Sequence, residues 1–89
     1  MGGGVAEQAR QALANLAALL AEHGSSLDDV VKTTVFMADI ADFGTVNEVY
    51  VSAFGDHRPA RTAVAVAGLP LGALFEVEAW ALRPAAKPN

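Results

Sequence analysis

Ser25-Ser26-Leu27-Asp28-Asp29-Val30-Val31-Lys32-Thr33-Thr34-Val35-Phe36-Met37-Ala38 is the stretch on which the fold turns. Its first five residues are turn chemistry, in which the short polar side chains of Ser25, Ser26, Asp28 and Asp29 bond to nearby backbone. Val30 to Ala38 is rich in β-branched and aromatic residues, which predicts a strand. Side chains on a strand alternate, so Val31, Thr33, Val35 and Met37 share one face, and Val30, Lys32, Thr34 and Phe36 the other. The first set is the more apolar and is expected to lie beneath a helix.

The helix is supplied just upstream. From Val5 to about His23 the chain is built of Ala, Leu, Glu, Gln and Arg, all strong helix formers. Ala9, Leu13, Leu16 and Leu20 recur at helical spacing with Ala17 beside them, while Glu7, Arg10, Gln11 and Glu22 fall largely outside that stripe. Gly24 follows as a residue able to end the helix in the left-handed conformation. Downstream of the strand, Asp39 can cap a second helix and Asp42 adds negative charge to its first turn. Phe43, Val46, Tyr50 and Phe54 then repeat at three- and four-residue spacing until Gly55.

Beyond the polar loop Asp56-His57-Arg58-Pro59 two more strands are predicted, Thr62 to Val66 and Leu74 to Leu82, with Gly68, Pro70 and Gly72 turning between them. The order helix, strand, helix, strand, strand is an α+β layer with two helices on one face of a sheet, not a doubly wound fold. The whole of 1–89 reads as a single domain, with a flexible start at 1–4 and a flexible tail at 84–89.

A domain of 89 residues buries only about 60 to 65 percent of its unfolded surface, so its stability needs reinforcement. With no cysteine, disulfides, thiolate metal sites and a cysteine nucleophile are excluded. Two histidines, His23 and His57, would need carboxylate help to hold a metal. Oligomerisation remains, and a hydrophobic fraction of 53% supports it, being more apolar surface than a small monomer hides. The net charge of −4 and six scattered basic residues argue against nucleic-acid binding, which draws on phosphate neutralisation. No apolar run reaches the ~20 residues of a membrane span, and Met1-Gly2-Gly3-Gly4 does not resemble a signal peptide. A cytoplasmic location is expected.

Several side chains are candidates for chemistry. Arg61 follows Pro59-Ala60 and precedes an apolar strand, where a guanidinium suits bidentate recognition of a carboxylate; the alternative is an ordinary rim arginine. Glu76 and Glu78 share a strand face with Trp80, and a partly buried carboxylate there could do acid–base work. More often such a pair is a solvated face, or it forms salt bridges across a subunit contact. His57 is a loop histidine without a serine or acid partner at a recognisable spacing. His23, at a helix C-terminus, suits interaction with the helix dipole. Asn47 and Tyr50, three residues apart on the second helix, either cap, bond at an interface or pack. Gly68-Leu69-Pro70-Leu71-Gly72 lacks the Lys-Ser/Thr of a phosphate loop and reads as a turn.

Taken in order, Gly24-Ser25-Ser26-Leu27-Asp28-Asp29-Val30-Val31-Lys32, Asp42-Phe43 with Val46-Asn47 and Tyr50, Pro59-Ala60-Arg61, Gly68-Leu69-Pro70 and Glu76-Val77-Glu78 resemble the Rid (reactive intermediate deaminase, YjgF-like) family. The resemblance implies a chorismate-mutase-like mixed sheet backed by two helices, assembled as a homotrimer with clefts between subunits. It implies an enamine or imine deaminase that hydrolyses 2-aminoacrylate and related 2-imino acids to 2-oxoacids and ammonia, without metal or cofactor. The expected alternative is a non-catalytic module binding small carboxylates in the same cleft. By the same resemblance Arg61 holds the substrate carboxylate, Glu76 positions or activates the attacking water, and Asn47 and Ala63 complete the substrate-binding set. Ala63 stands where relatives often carry cysteine. Typical relatives also have further N-terminal strands with Gly-Pro-Tyr and Ser-Gly-Gln segments. Neither occurs here, so the chain reads as an N-terminally truncated form of that fold.

Overall fold

The computed structural model describes residues 4–82. Along the chain run α1 (Val5–Glu22), β1 (Val30–Met37), α2 (Phe43–Phe54), β2 (Ala60–Ala65) and β3 (Phe75–Ala81). Short 3-10 turns occupy Leu27–Asp29, Ile40–Asp42 and Pro70–Gly72. The sheet order is β2-β1-β3, with β2 parallel and β3 antiparallel to the central β1. A parallel pair cannot be joined by a tight hairpin, and α2 supplies the crossover from β1 to β2. The result is the predicted α+β architecture, a mixed sheet with two helices packed on one face.

Local chemistry explains where each element stops. Gly24 adopts φ +74 at the end of α1, and Ser25 N–H donates to the Leu20 carbonyl at 2.9 Å, closing the terminus of the helix. Ser26 and Asp29 then form a reciprocal capping box around the 3-10 turn. The Asp29 backbone carbonyl accepts from Leu82 N–H at 2.8 Å, which ties the end of β3 to the entrance of β1. Asp39 Oδ1 accepts from Ala41 N–H at 2.9 Å, so the expected cap acts on the 3-10 turn ahead of α2.

The core lies between the helices and one sheet face. Ala9 and Leu13 of α1 and Val46, Tyr50 and Phe54 of α2 meet Val30, Val35 and Met37 of β1 and Phe75 of β3. Thr33 is buried with them. Lys32, Thr34 and Phe36 point the other way, beside Glu76, Glu78 and Trp80 of β3, and no described element covers that second face.

Val31 corrects the expected strand phase. It is exposed, while Val30 is buried. Val30 pairs with Ala81 but Lys32 pairs with Trp80, so a β-bulge inserts one unopposed residue. A bulge shifts the alternation by one, and it turns Val30 inward and Val31 out. Gln8 is a second difference, a buried polar residue on the helix face. Its Oε1 accepts from Leu74 N–H at 2.7 Å, satisfying a backbone donor at the entrance of β3. Of the expected flexible ends, only Gly4 is described: its carbonyl accepts from Gln8 N–H at 3.0 Å as the cap of α1. The remainder of both ends lies outside the described residues.

Candidate functional site

Arg61 is the second residue of β2 and stands in register with Thr33. Neighbours in register project to the same side of a sheet, and Thr33 is buried beneath α2. Arg61 therefore rises on the helix face. Because β2 is an edge strand, the long side chain stays exposed and leans over α2 rather than into the core.

Three residues of α2 receive it. Its Nη1 donates to Asn47 Oδ1 at 2.6 Å. The guanidinium carbon lies 4.8 Å from the centroid of the Tyr50 ring and 5.2 Å from that of Phe43. Phe43, Asn47 and Tyr50 are spaced i, i+4, i+7, which places all three on one stripe of the helix. Cation–π contacts at exposed positions contribute about 0.5–1 kcal/mol each, enough to favour one arginine pose over the many an exposed side chain can sample.

Beside the guanidinium lies an open cavity of about 560 Å³ lined by Ile40, Phe43, Arg61 and Ala63. Ala63 pairs with Val35, so it too faces the helix side, two residues along from Arg61. The cavity is one cation with apolar walls, an arrangement suited to a small anion carrying an alkyl group. A second groove, about 550 Å³, runs between α1 and α2. Its lining cation, Arg10, is engaged by Glu7. That leaves Arg61 the better placed of the two to take a carboxylate.

Arg61, Asn47 and Ala63 are thus brought together. Glu76 is not among them. It pairs with Phe36 and shares the uncovered face with Glu78 and Trp80, whereas its neighbour Phe75 is buried under the helices. His57 ties down its loop: its Nε2 lies 2.7 Å from the Val30 carbonyl, fastening the segment before β2 to the bulge. Ile40, Phe43 and Tyr50 are the site residues that sequence reasoning did not assign. The spacing of Phe43 and Tyr50 was visible, but it was absorbed into the apolar stripe of α2. No cluster of three His, Asp or Glu side chains able to hold a metal occurs among the described residues.

A mixed three-stranded sheet, helices on one face and an aromatic-held arginine at the sheet edge define the class: an α+β domain with a cation at the edge of its sheet. The chain belongs to the endoribonuclease L-PSP family, the Rid or YjgF-like proteins, whose family model matches residues 1–83. It is 54% identical over 81 residues to rat 2-iminobutanoate/2-iminopropanoate deaminase, covering 91% of this chain and 59% of that protein. An Entamoeba histolytica protein described as a candidate endoribonuclease L-PSP superposes with a TM-score of 0.86 at 54% identity, covering 88% of this chain and 62% of that one. Escherichia coli TdcF with bound serine gives a TM-score of 0.88 at 42% identity, covering 93% and 68%. The chain therefore spans about three-fifths of the length of the rat protein.

Proposed function

We propose that the chain acts in the hydrolysis of short 2-imino acids, and of enamines such as 2-aminoacrylate that tautomerise to them, yielding 2-oxoacids and ammonia. The observation that carries this reading is the Arg61 guanidinium, held by Asn47, Phe43 and Tyr50 over an otherwise apolar cavity. Such a cavity takes a monocarboxylate with a small alkyl group and has no second charged group for a dicarboxylate. Rat 2-iminobutanoate/2-iminopropanoate deaminase, about half identical, is named for substrates of that kind. Bound serine in the TdcF structure is likewise a small molecule bearing a carboxylate beside a nitrogen-bearing carbon.

The chemistry asks little of the protein. A protonated imine carbon is already electrophilic, so orientation of the substrate and one water supplies most of the rate. Water adds to that carbon and gives up a proton to a carboxylate base. The resulting carbinolamine takes that proton on nitrogen, and the carbon–nitrogen bond breaks as the hydroxyl gives its own proton to the carboxylate, releasing ammonia and leaving the 2-oxoacid. Arg61 holds the substrate carboxylate and Ala63 forms the cavity wall. Asn47, which bonds to Arg61, orients the group that binds. Glu76 is the base of this reading.

Glu76 cannot join the Arg61 of its own chain, because the sheet stands between them. The reading therefore places the site between two copies in a homotrimer, with Arg61 from one and Glu76 from another. A carboxylate and a cation on opposite faces of one layer suit a closed ring of copies, each presenting one face to the next. A small carboxylate also fits better than RNA. The chain is acidic overall, with six basic residues against ten acidic ones, and of its described cations Arg10 is paired with Glu7.

Adding the protein to 2-iminobutanoate generated in a coupled assay should accelerate release of 2-oxobutanoate, and Arg61→Ala should abolish the acceleration. Equal rates for wild type and Arg61→Ala would refute the enzyme. The same split of Arg61 from Glu76 favours one other reading, a carboxylate-binding module without turnover, since one chain holds the whole cradle on one sheet face and Glu76 on the other. Saturable binding of 2-oxobutanoate with no rate above background would select it.

A further inference from the structure

We propose that Tyr50 is a positioning residue of this site, aiming the Arg61 guanidinium through its ring while Thr33 anchors that ring from below. The inference rests on Arg61 being the carboxylate-binding group. Tyr50 is 3% exposed and does not line the cavity, so it acts on a ligand only through Arg61. Its hydroxyl lies 2.7 Å from Thr33 Oγ1, and Thr33 is completely buried. Thr33 is also the register partner of Arg61. One backbone pairing thus fixes both the base of the arginine and the anchor of the ring on which its far end rests.

The arrangement closes a loop from Thr33 to Tyr50, to the Arg61 guanidinium, and back along β2 to β1. A buried tyrosine needs a partner for its hydroxyl, but core packing alone does not require the partner to sit next to the site arginine. An exposed arginine on an edge strand loses rotamer freedom when it clamps a ligand, and that loss weakens binding. With Tyr50 and Phe43 against its carbon and Asn47 on one Nη1 proton, Arg61 is ordered before a ligand arrives. Its remaining N–H donors are left to form the fork that a carboxylate accepts.

The test compares wild type, Arg61→Ala, Tyr50→Leu, Tyr50→Phe, Thr33→Val and the Tyr50→Phe/Thr33→Val double variant. For each, the Kd of 2-oxobutanoate by calorimetry and the Tm are measured, with KM and kcat in the deaminase assay. Tyr50→Leu, which loses ring and anchor, should raise Kd and KM roughly five- to tenfold with kcat within about twofold. Tyr50→Phe and Thr33→Val keep the ring and lose one bond, so each should raise Kd about two- to threefold, and the double variant no more than either. Lowered Tm with wild-type Kd in every Tyr50 and Thr33 variant overturns the positioning role. If Tyr50→Leu does not fold, Tyr50→Phe and Thr33→Val decide alone, and unchanged Kd in both overturns it. Wild type that binds no carboxylate, or Arg61→Ala that binds equally well, overturns the carboxylate site itself. Binding lost in Arg61→Ala but intact in the Tyr50 variants overturns only the inference about Tyr50.

Discussion

Arg61 and Glu76 stand on opposite faces of one sheet, separated by β1: Arg61 is in register with the buried Thr33, and Glu76 with Phe36 on the uncovered side. Both are surface residues, and neither can be carried round the sheet by a rotamer change. A reaction that uses both must use two copies of the chain.

Mixing variants tests this directly. With the site between two copies as proposed, Arg61→Ala and Glu76→Gln should each be inactive, yet oligomers refolded from an equal mixture should recover about a quarter of wild-type activity, the share of subunit contacts that pair an intact arginine with an intact glutamate. No recovery in mixed oligomers, with assembly verified by light scattering, would place both residues' roles elsewhere.

Arg61→Lys keeps the charge and loses the planar fork. A hydrogen bond to a charged group contributes about 1.5–3 kcal/mol, so carboxylate affinity should fall roughly tenfold to a hundredfold. Since Arg61 is exposed, Tm should barely move. Calorimetric titration with 2-oxobutanoate beside a thermal melt checks both halves.

Gln8 should matter to stability although it does not line the cavity. Gln8→Leu leaves the Leu74 N–H without its acceptor, at a cost of about 1–3 kcal/mol. Urea denaturation should show a lower midpoint with an unchanged slope.

Leu71 offers the opposite effect. It is 97% exposed and adopts φ +59, a conformation that disfavours a branched L side chain. Leu71→Asn removes no buried surface and suits that conformation, so the chain should gain roughly 0.5–1 kcal/mol. Loss of stability in the same denaturation experiment would mean that the leucine makes a contact beyond its own chain.

Much of this molecule was legible in its residues. The order of helices and strands, the Gly24 and Gly55 terminations and the core stripe of Phe43, Val46, Tyr50 and Phe54 follow from periodicities that operate over one or two turns of chain. Arg61 was singled out by its Pro59-Ala60 approach and by the later Glu76-Val77-Glu78. Val31 shows where such reading ends. Its alternation placed it inward, and a bulge against β3 turned it outward. A bulge depends on how two distant strands are paired, which no local period encodes.

The site divides along the same line. The amino-acid sequence by itself determined the elements, their order, the α+β class and the arginine, because each depends on propensity and spacing within a short window. Only the tertiary structure decided which candidates meet. Period-two alternation tells which residues share a face within one strand, but the phase between strands comes from register. It is the pairing of Thr33 with Arg61 and of Phe36 with Glu76 that puts the cation over Tyr50 and the carboxylate on the far side of the sheet.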